Sequence, residues 1–225
     1  MTGRTHMAVG AAAALLAAPL ASRLTGAAVT GVAPVLQALL GGMVGGMLPD
    51  TDVPTSAGSK ELRRAWAALA VLAACGLVYD HLHGSDLVVG VASRFSYRQI
   101  AGVAVLVATC AVGRASGHRG FSHSVAALVF ATFGMWMLCK PLAAAFGVGY
   151  LSHLLLDVLN KRGVRLLWPM RASARLGLFE SGGAADWLFL LAGVATCAVV
   201  AAARLDALPA WLWGLPGALR GALPR

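Results

Sequence analysis

Histidine and aspartate four residues apart, in Gly149-Tyr-Leu-Ser-His153-Leu-Leu-Leu-Asp157, stand on one face of a helix, one turn from each other. An imidazole nitrogen and a carboxylate oxygen side by side form half of a divalent-metal site. The surrounding residues are apolar, and an ionisable pair in such a setting is costly enough that a functional role outweighs a packing hydrogen bond. A second constellation, Gly117-His118-Arg119-Gly120-Phe121-Ser122-His123-Ser124, spaces two histidines five apart. On one helix they would diverge, but Gly120 and an N-cap signal at Ser122 predict a loop entering a helix near His123, so both rings can converge on one ion. Arg119 between them supplies a bidentate donor for a phosphate or carboxylate oxygen.

Two more polar positions complete the set. Gly46-Met-Leu-Pro49-Asp50-Thr51-Asp52 places two carboxylates in D-x-D spacing, with Pro49 and Pro54 keeping the segment out of a regular helix. Carboxylates so close repel unless a cation or proton lies between them. Alone the pair reads equally well as a solvated turn. His6, at the mouth of the first apolar run, would alone be a bland interfacial residue. Together His6, Asp50, Asp52, His118, His123, His153 and Asp157 make four coincidences a poor explanation. His81 and His83 are the remaining histidines and fall outside the set.

The elements that must position these residues are apolar helices. Of 225 residues, 59% are hydrophobic and 12% charged, with a mean hydropathy of +0.76, against roughly 25% charged in an average soluble domain. Apolar runs near residues 7–21, 28–48, 65–79, 100–112, 124–138, 142–159 and 187–203 predict an all-α polytopic membrane bundle of about five to seven helices. Residues 1–205 form one membrane domain and 206–225 an interfacial or flexible tail carrying Trp211 and Trp213. Gly41, Gly42, Gly45 and Gly46 have the small-xxx-small spacing that lets helices approach closely. They lead into Leu48 and Pro49 rather than a Lys or Ser/Thr, so a phosphate loop is a poor reading. Cys75, Cys110, Cys139 and Cys197 lie in apolar runs without paired spacing, as small buried hydrophobes.

The formal charge of +9 lies between apolar runs, without a basic stripe or interleaved aromatics. Membrane lipids are therefore the expected partner and nucleic acid is not. If each run crosses once, His6, Asp50, His118 and Lys161 share one surface. Arg4, Lys60, Arg63, Arg64, Arg114, Arg119, Lys161, Arg162, Arg165, Arg171 and Arg175 lie there too, eleven of the eighteen basic residues. By the positive-inside rule that surface faces the cytoplasm. Arg4 with the run Ala8 to Leu20 also has the length and flanks of a cleaved signal peptide.

Thr5-His6, Gly46 to Asp52, the His118-to-Ser124 block, and Gly149 to Asp157 running on to Gly163 and Pro169 together resemble the YdjM-like inner-membrane metal-dependent hydrolases, also described as LexA-regulated or LexA-binding. The resemblance covers roughly residues 1–190 and implies that His6 belongs to the mature protein. Its ligand types are similar to those of zinc-dependent phospholipases C and related nucleases, which implies phosphoester hydrolysis at a bacterial-type inner membrane. On this reading the seven residues hold one or two divalent ions, zinc or manganese. Arg119 holds phosphate, and Asp52 or Asp157 acts as general base. Family members carry a further acidic residue near the end, a place that Glu180 or Asp186 would fill. The alternatives are a divalent-metal transporter, which calls for polar residues through the whole membrane depth, and a scaffold with a structural metal.

Overall fold

The computed structural model describes residues 1–53 and 55–205. The predicted tail 206–225 and Pro54 lie outside the described residues. Among the described residues eight α-helices follow one another: α1 Gly3–Thr25, α2 Val32–Met47, α3 Ala57–His83, α4 Leu87–Ala92, α5 Tyr97–Ala115, α6 Val125–Leu138, α7 Lys140–Leu159 and α8 Ala184–Arg204. Two 3-10 turns, Leu48–Asp52 and Phe121–His123, interrupt them. Among the described residues six helices are long and apolar enough to cross a membrane, and α6 is a shorter apolar helix. The chain is thus an all-α membrane bundle. Alternating crossings bring the start of α1, the end of α2, the α5–α6 junction, the end of α7 and the start of α8 to one end.

Helix α2 is the centre of the bundle and its glycines explain why. A methyl group on Gly41 or Gly45 would collide with α7, at Ala145 or at the carbonyl of Phe146. On the other side, a methyl on Gly42 or Gly46 would collide with α1, at the carbonyls of Gly10 and His6. Gly149 of α7 meets the carbonyl of Gly42 in the same way. Water does not drive helices together inside a bilayer, so close main-chain contact and its dispersion attraction hold the three helices instead. Between α6 and α7 the packing passes to side chains, with Phe146, Tyr150, Leu154, Ala131 and Met135 buried around Phe121.

Helix α8 closes the bundle against α1, and its last residue settles a defect in α1. Pro19 lies inside α1 and has no N–H to give to the carbonyl of Leu15, four residues earlier. Arg204, 2% exposed, donates from Nη2 to that carbonyl. Helix α3 packs mainly on the 3-10 turn Leu48–Asp52 and on α4, leaving Val71, Leu72, Leu77 and Val78 exposed to lipid. Its start is pinned there: Ser56 Oγ donates to the Asp50 carbonyl at 2.6 Å and Ser59 Oγ to the Thr51 carbonyl at 2.8 Å. Arg114 of α5 donates from Nη2 to the same Thr51 carbonyl at 3.1 Å.

Candidate metal centre

The seven residues singled out by spacing meet at one end of the bundle. Met47 closes α2, and Pro49 supplies no N–H for another α-helical bond, so the chain tightens into the 3-10 turn Leu48–Asp52. At about three residues per turn, Asp50 and Asp52 point roughly 120° apart. Asp50 faces His123 and His153, with its Oδ1 3.7 Å and 3.8 Å from their Nε2 atoms. Asp52 turns the other way and meets the loop between α5 and α6.

That loop wraps around Asp52. Its Oδ1 lies 3.1 Å from His118 Nδ1, and its Oδ2 accepts from the Arg119 N–H at 3.2 Å and the Ser122 hydroxyl at 2.6 Å. Arg119 adopts a left-handed conformation, φ 61°, which costs a non-glycine residue about 1 kcal/mol or more. The Asp52 bond to its backbone helps hold it there. Ser122 is therefore not the helix N-cap that its sequence position suggests. Ser124 takes that role, accepting from the Ala127 N–H at 3.2 Å, while the Ser122 hydroxyl is spent on Asp52.

The protonation pattern follows from the partners. His153 Nδ1 lies 2.7 Å from the Gly46 carbonyl oxygen, which can only accept, so the ring proton sits on Nδ1 and Nε2 keeps its lone pair. His123 Nδ1 faces Ser122 Oγ at 3.0 Å and Asp52 Oδ2 at 3.4 Å. Because the serine proton is already donated to Asp52, His123 Nδ1 is a donor as well. The two Nε2 atoms are 3.2 Å apart. Two tetrahedral zinc ligands at 2.0–2.1 Å from the metal lie about 3.4 Å from each other. Asp157 Oδ2 stands 3.4 Å from His123 Nε2 and 3.8 Å from His153 Nε2, and Asp50 Oδ1 stands 3.7 Å and 3.8 Å from the same two atoms.

The environment favours positive charge between these rings. Burial works against a charged His123, but hydrogen bonds to Asp50 and Asp52, with Asp157 nearby, outweigh it and raise its pKa to about 9. A proton or a divalent ion satisfies the same demand. The donor set therefore fits a metal, and two further observations agree. Asp157 Oδ1 and His6 Nδ1 are buried without a hydrogen-bond partner, and His6 Nε2 lies 3.5 Å from that Oδ1 while its ring stacks on His153 at 3.8 Å. Among the described residues three groups have ligand atoms within 4.8 Å of one another: His6, His153 and Asp157; Asp50, His123 and His153; Asp52, His118 and His123.

Arg119 reaches into this cluster from the loop. Its Nη1 donates to the Gly163 carbonyl at 2.8 Å and its Nη2 stands 3.5 Å from Asp157 Oδ2. The two late acidic residues do not join the cluster. Asp186 accepts from the N–H groups of Thr2 and Gly182, at 3.2 Å and 2.9 Å, and ties the start of α1 to α8. Glu180 pairs with Lys161 on the exposed surface at 2.5 Å. His81 and His83 lie at the other end, at the close of α3. The spacing argument missed Gly46 as a hydrogen-bond acceptor and Ser122 as the partner of Asp52, although both stand inside the motifs it used.

The fold and cluster define an integral membrane helical bundle with buried histidines and carboxylates gathered at one end. The chain belongs to the YdjM inner membrane protein family, whose model matches residues 1–222. It is 43% identical to the inner membrane protein YdjM of Escherichia coli (strain K12) over 72 residues, 29% of this chain and 37% of that protein. Over 80 residues it is 32% identical to the protein YvsG of Bacillus subtilis (strain 168), 35% of this chain and 50% of that protein. The chain thus spans half or less of the length of these relatives. No solved structure matches it.

Proposed function

We propose that the chain is a membrane-bound metal-dependent hydrolase that cleaves phosphoesters, with lipid phosphoesters the natural class for a site set within one half of a membrane bundle. The observation that carries this reading is the pair of Nε2 atoms 3.2 Å apart, flanked by the carboxylates of Asp50 and Asp157. His123, His153, Asp50 and Asp157 hold a zinc or manganese ion. His6, with Asp157 Oδ1, which stands 3.5 Å from His6 Nε2 and 3.6 Å from the Met1 amine, is placed to take part in a second. A bound divalent ion supplies Lewis acidity and brings the pKa of its water towards about 7.

The chain's own groups divide the remaining work. Asp52 is engaged by His118, Arg119 and Ser122, so it orients His123 and His118 rather than acting as ligand or base. His118, whose side chain is 43% exposed, has its Nδ1 on Asp52 and its Nε2 clear for proton transfer. It is the general acid or base of the proposed reaction. Arg119 holds the phosphate beside Asp157. A transporter would need ionisable groups through the depth of the bundle, whereas this cluster is confined to one end.

The test is hydrolysis of a panel of phosphomonoesters, phosphodiesters and phospholipids by detergent-purified protein loaded with zinc or manganese. Turnover that a chelator abolishes and fresh metal restores is expected. A metal-loaded protein inert on every member of the panel, yet carrying zinc or manganese into proteoliposomes, would replace the enzyme by the transporter. The Asp52→Asn protein is expected to bind metal about 10- to 100-fold more weakly, the usual cost of losing a group that orients a ligand. Competition with a chromogenic chelator measures this, and unchanged affinity would remove Asp52 from the ligand-orienting role.

The basic residues crowding the cluster's side support a cytoplasmic orientation. In a background free of native cysteines, Lys60→Cys is expected to resist a membrane-impermeant maleimide in intact cells and to react after lysis. Labelling in intact cells would reverse the orientation.

A further inference from the structure

At the end of the bundle opposite the metal cluster, two apolar concavities run into each other along α7. One, of about 520 Å³, lies between α1, α2 and the start of α7. The other, of about 650 Å³, lies between α6 and α7 and reaches Leu128 and Leu151. Trp136, Ala143, Ala144 and Val148 line both. No carboxylate lines either one, and the charged residue among their walls is Lys140.

The dimensions match one leaflet. From Lys140 to Leu151 the groove follows eleven helical steps, about 16 Å at 1.5 Å per residue. Half of a hydrocarbon core about 30 Å thick is about 15 Å. The groove therefore begins at one membrane surface and stops near the midplane. Its small side chains, Ala143, Ala144 and Gly147 on α7, make the concavity that a flexible chain can fill.

The mouth is built for negative charge. Lys140 is exposed at the first turn of α7. Arg98, at the start of α5, lies over the Trp136 ring at 4.4 Å and donates from Nη2 to the Trp136 carbonyl. That contact fixes the indole at the rim, the level at which tryptophan and snorkelling cations sit in membranes. Arg98 thus touches Trp136, a residue that lines the groove together with Lys140.

We infer that this groove is a specific site for one anionic phospholipid of the leaflet opposite the metal cluster, an acyl chain lying along α7 and the phosphate held by Lys140 and Arg98. The site is independent of the proposed hydrolase centre, because it opens at the other end of the bundle and shares no residue with it.

The experiment is native mass spectrometry of delipidated, detergent-purified protein titrated with phosphatidylglycerol or with phosphatidylcholine of the same chain length. The wild type is expected to retain one phosphatidylglycerol about tenfold better than phosphatidylcholine. Lys140→Gln should lower that preference, and Lys140→Gln with Arg98→Gln should bring it close to one. Ala144→Phe, which fills the groove, should lower retention of both lipids, with Val148→Phe as the alternative should the first variant not fold. Metal content should be unchanged in all of them, which separates failure here from failure of the hydrolase reading. Equal retention of the two lipids by wild type, an undiminished preference in the Lys140→Gln and Arg98→Gln double variant, or undiminished retention in the folded groove-filling variant would each overturn the inference.

Discussion

Purified His153→Ala protein is expected to lose its zinc or manganese almost completely, with affinity down by more than about 100-fold, beyond the usual cost of losing only an orienting group. The size follows from what the ring does. Its Nε2 lies 3.2 Å from His123 Nε2 and 3.8 Å from both Asp50 Oδ1 and Asp157 Oδ2, its Nδ1 is fixed by the Gly46 carbonyl at 2.7 Å, and its face stacks on His6 at 3.8 Å. Truncation removes a ligand, frees a carbonyl on α2 and leaves His6 without its neighbour. Asp52 is not placed to substitute, because it is already shared among His118, Arg119 and Ser122. Elemental analysis of the detergent-purified protein checks the effect, and His153→Gln separates loss of a ligand from loss of volume. Metal retained at the wild-type ratio in both variants would show that the cluster is a hydrogen-bond network and that the hydrolase reading lacks its ion.

The second large effect is expected in Gly46→Val. Any β-carbon at this position meets the His6 carbonyl of α1, and the obstacle is main chain, which cannot rotate away. Overpacking of this kind costs about 1–3 kcal/mol in well-packed interiors and more where nothing yields, so a loss of about 3 kcal/mol or more is expected. The displaced helix carries His6, and the displaced residue carries the carbonyl that orients His153, so metal binding should fall with stability. Gly90→Ala is the contrasting control. A β-carbon at Gly90 meets nothing within 4 Å, and alanine in that helical turn should be neutral or stabilising by about 0.5–1 kcal/mol. Thermal unfolding in detergent compares the two. A Gly46→Val protein as stable as wild type would mean that α1 and α2 are not in main-chain contact.

Much of the bundle is legible in the sequence because hydrocarbon imposes a simple rule on apolar runs. The glycine spacing of α2 also reads directly, since close approach leaves room for little else. The cluster is legible for the converse reason: His153, Asp157 and Asp50 stand out where charge is expensive. What the sequence hides is direction. Ser122 and Ser124 are both plausible caps by type, and only the position of Asp52 decides that the first hydroxyl is drawn away. The tautomer of His153 depends on a carbonyl 107 positions earlier in the chain. The partner of Arg204 is likewise set on another helix, where Pro19 leaves a carbonyl in need of a donor. The late acidic residue expected from the family resemblance fails for a related reason, because the N–H groups of Thr2 and Gly182 are closer to Asp186 than any imidazole is.

The glycine seams on α2 bear on how the protein responds to its membrane. Helices that meet through long side chains can slide or tilt separately when a bilayer thins or stretches, because the side chains change rotamer between them. Here α1, α2 and α7 meet main chain to main chain, and these are the helices that carry or lead directly into His6, Asp50, His153 and Asp157. A change in bilayer thickness must tilt the three together as one rigid body. The spacing of His6, Asp50, His153 and Asp157 is thereby insulated from membrane tension, while α3, with few partners in the bundle, is left to follow the lipid.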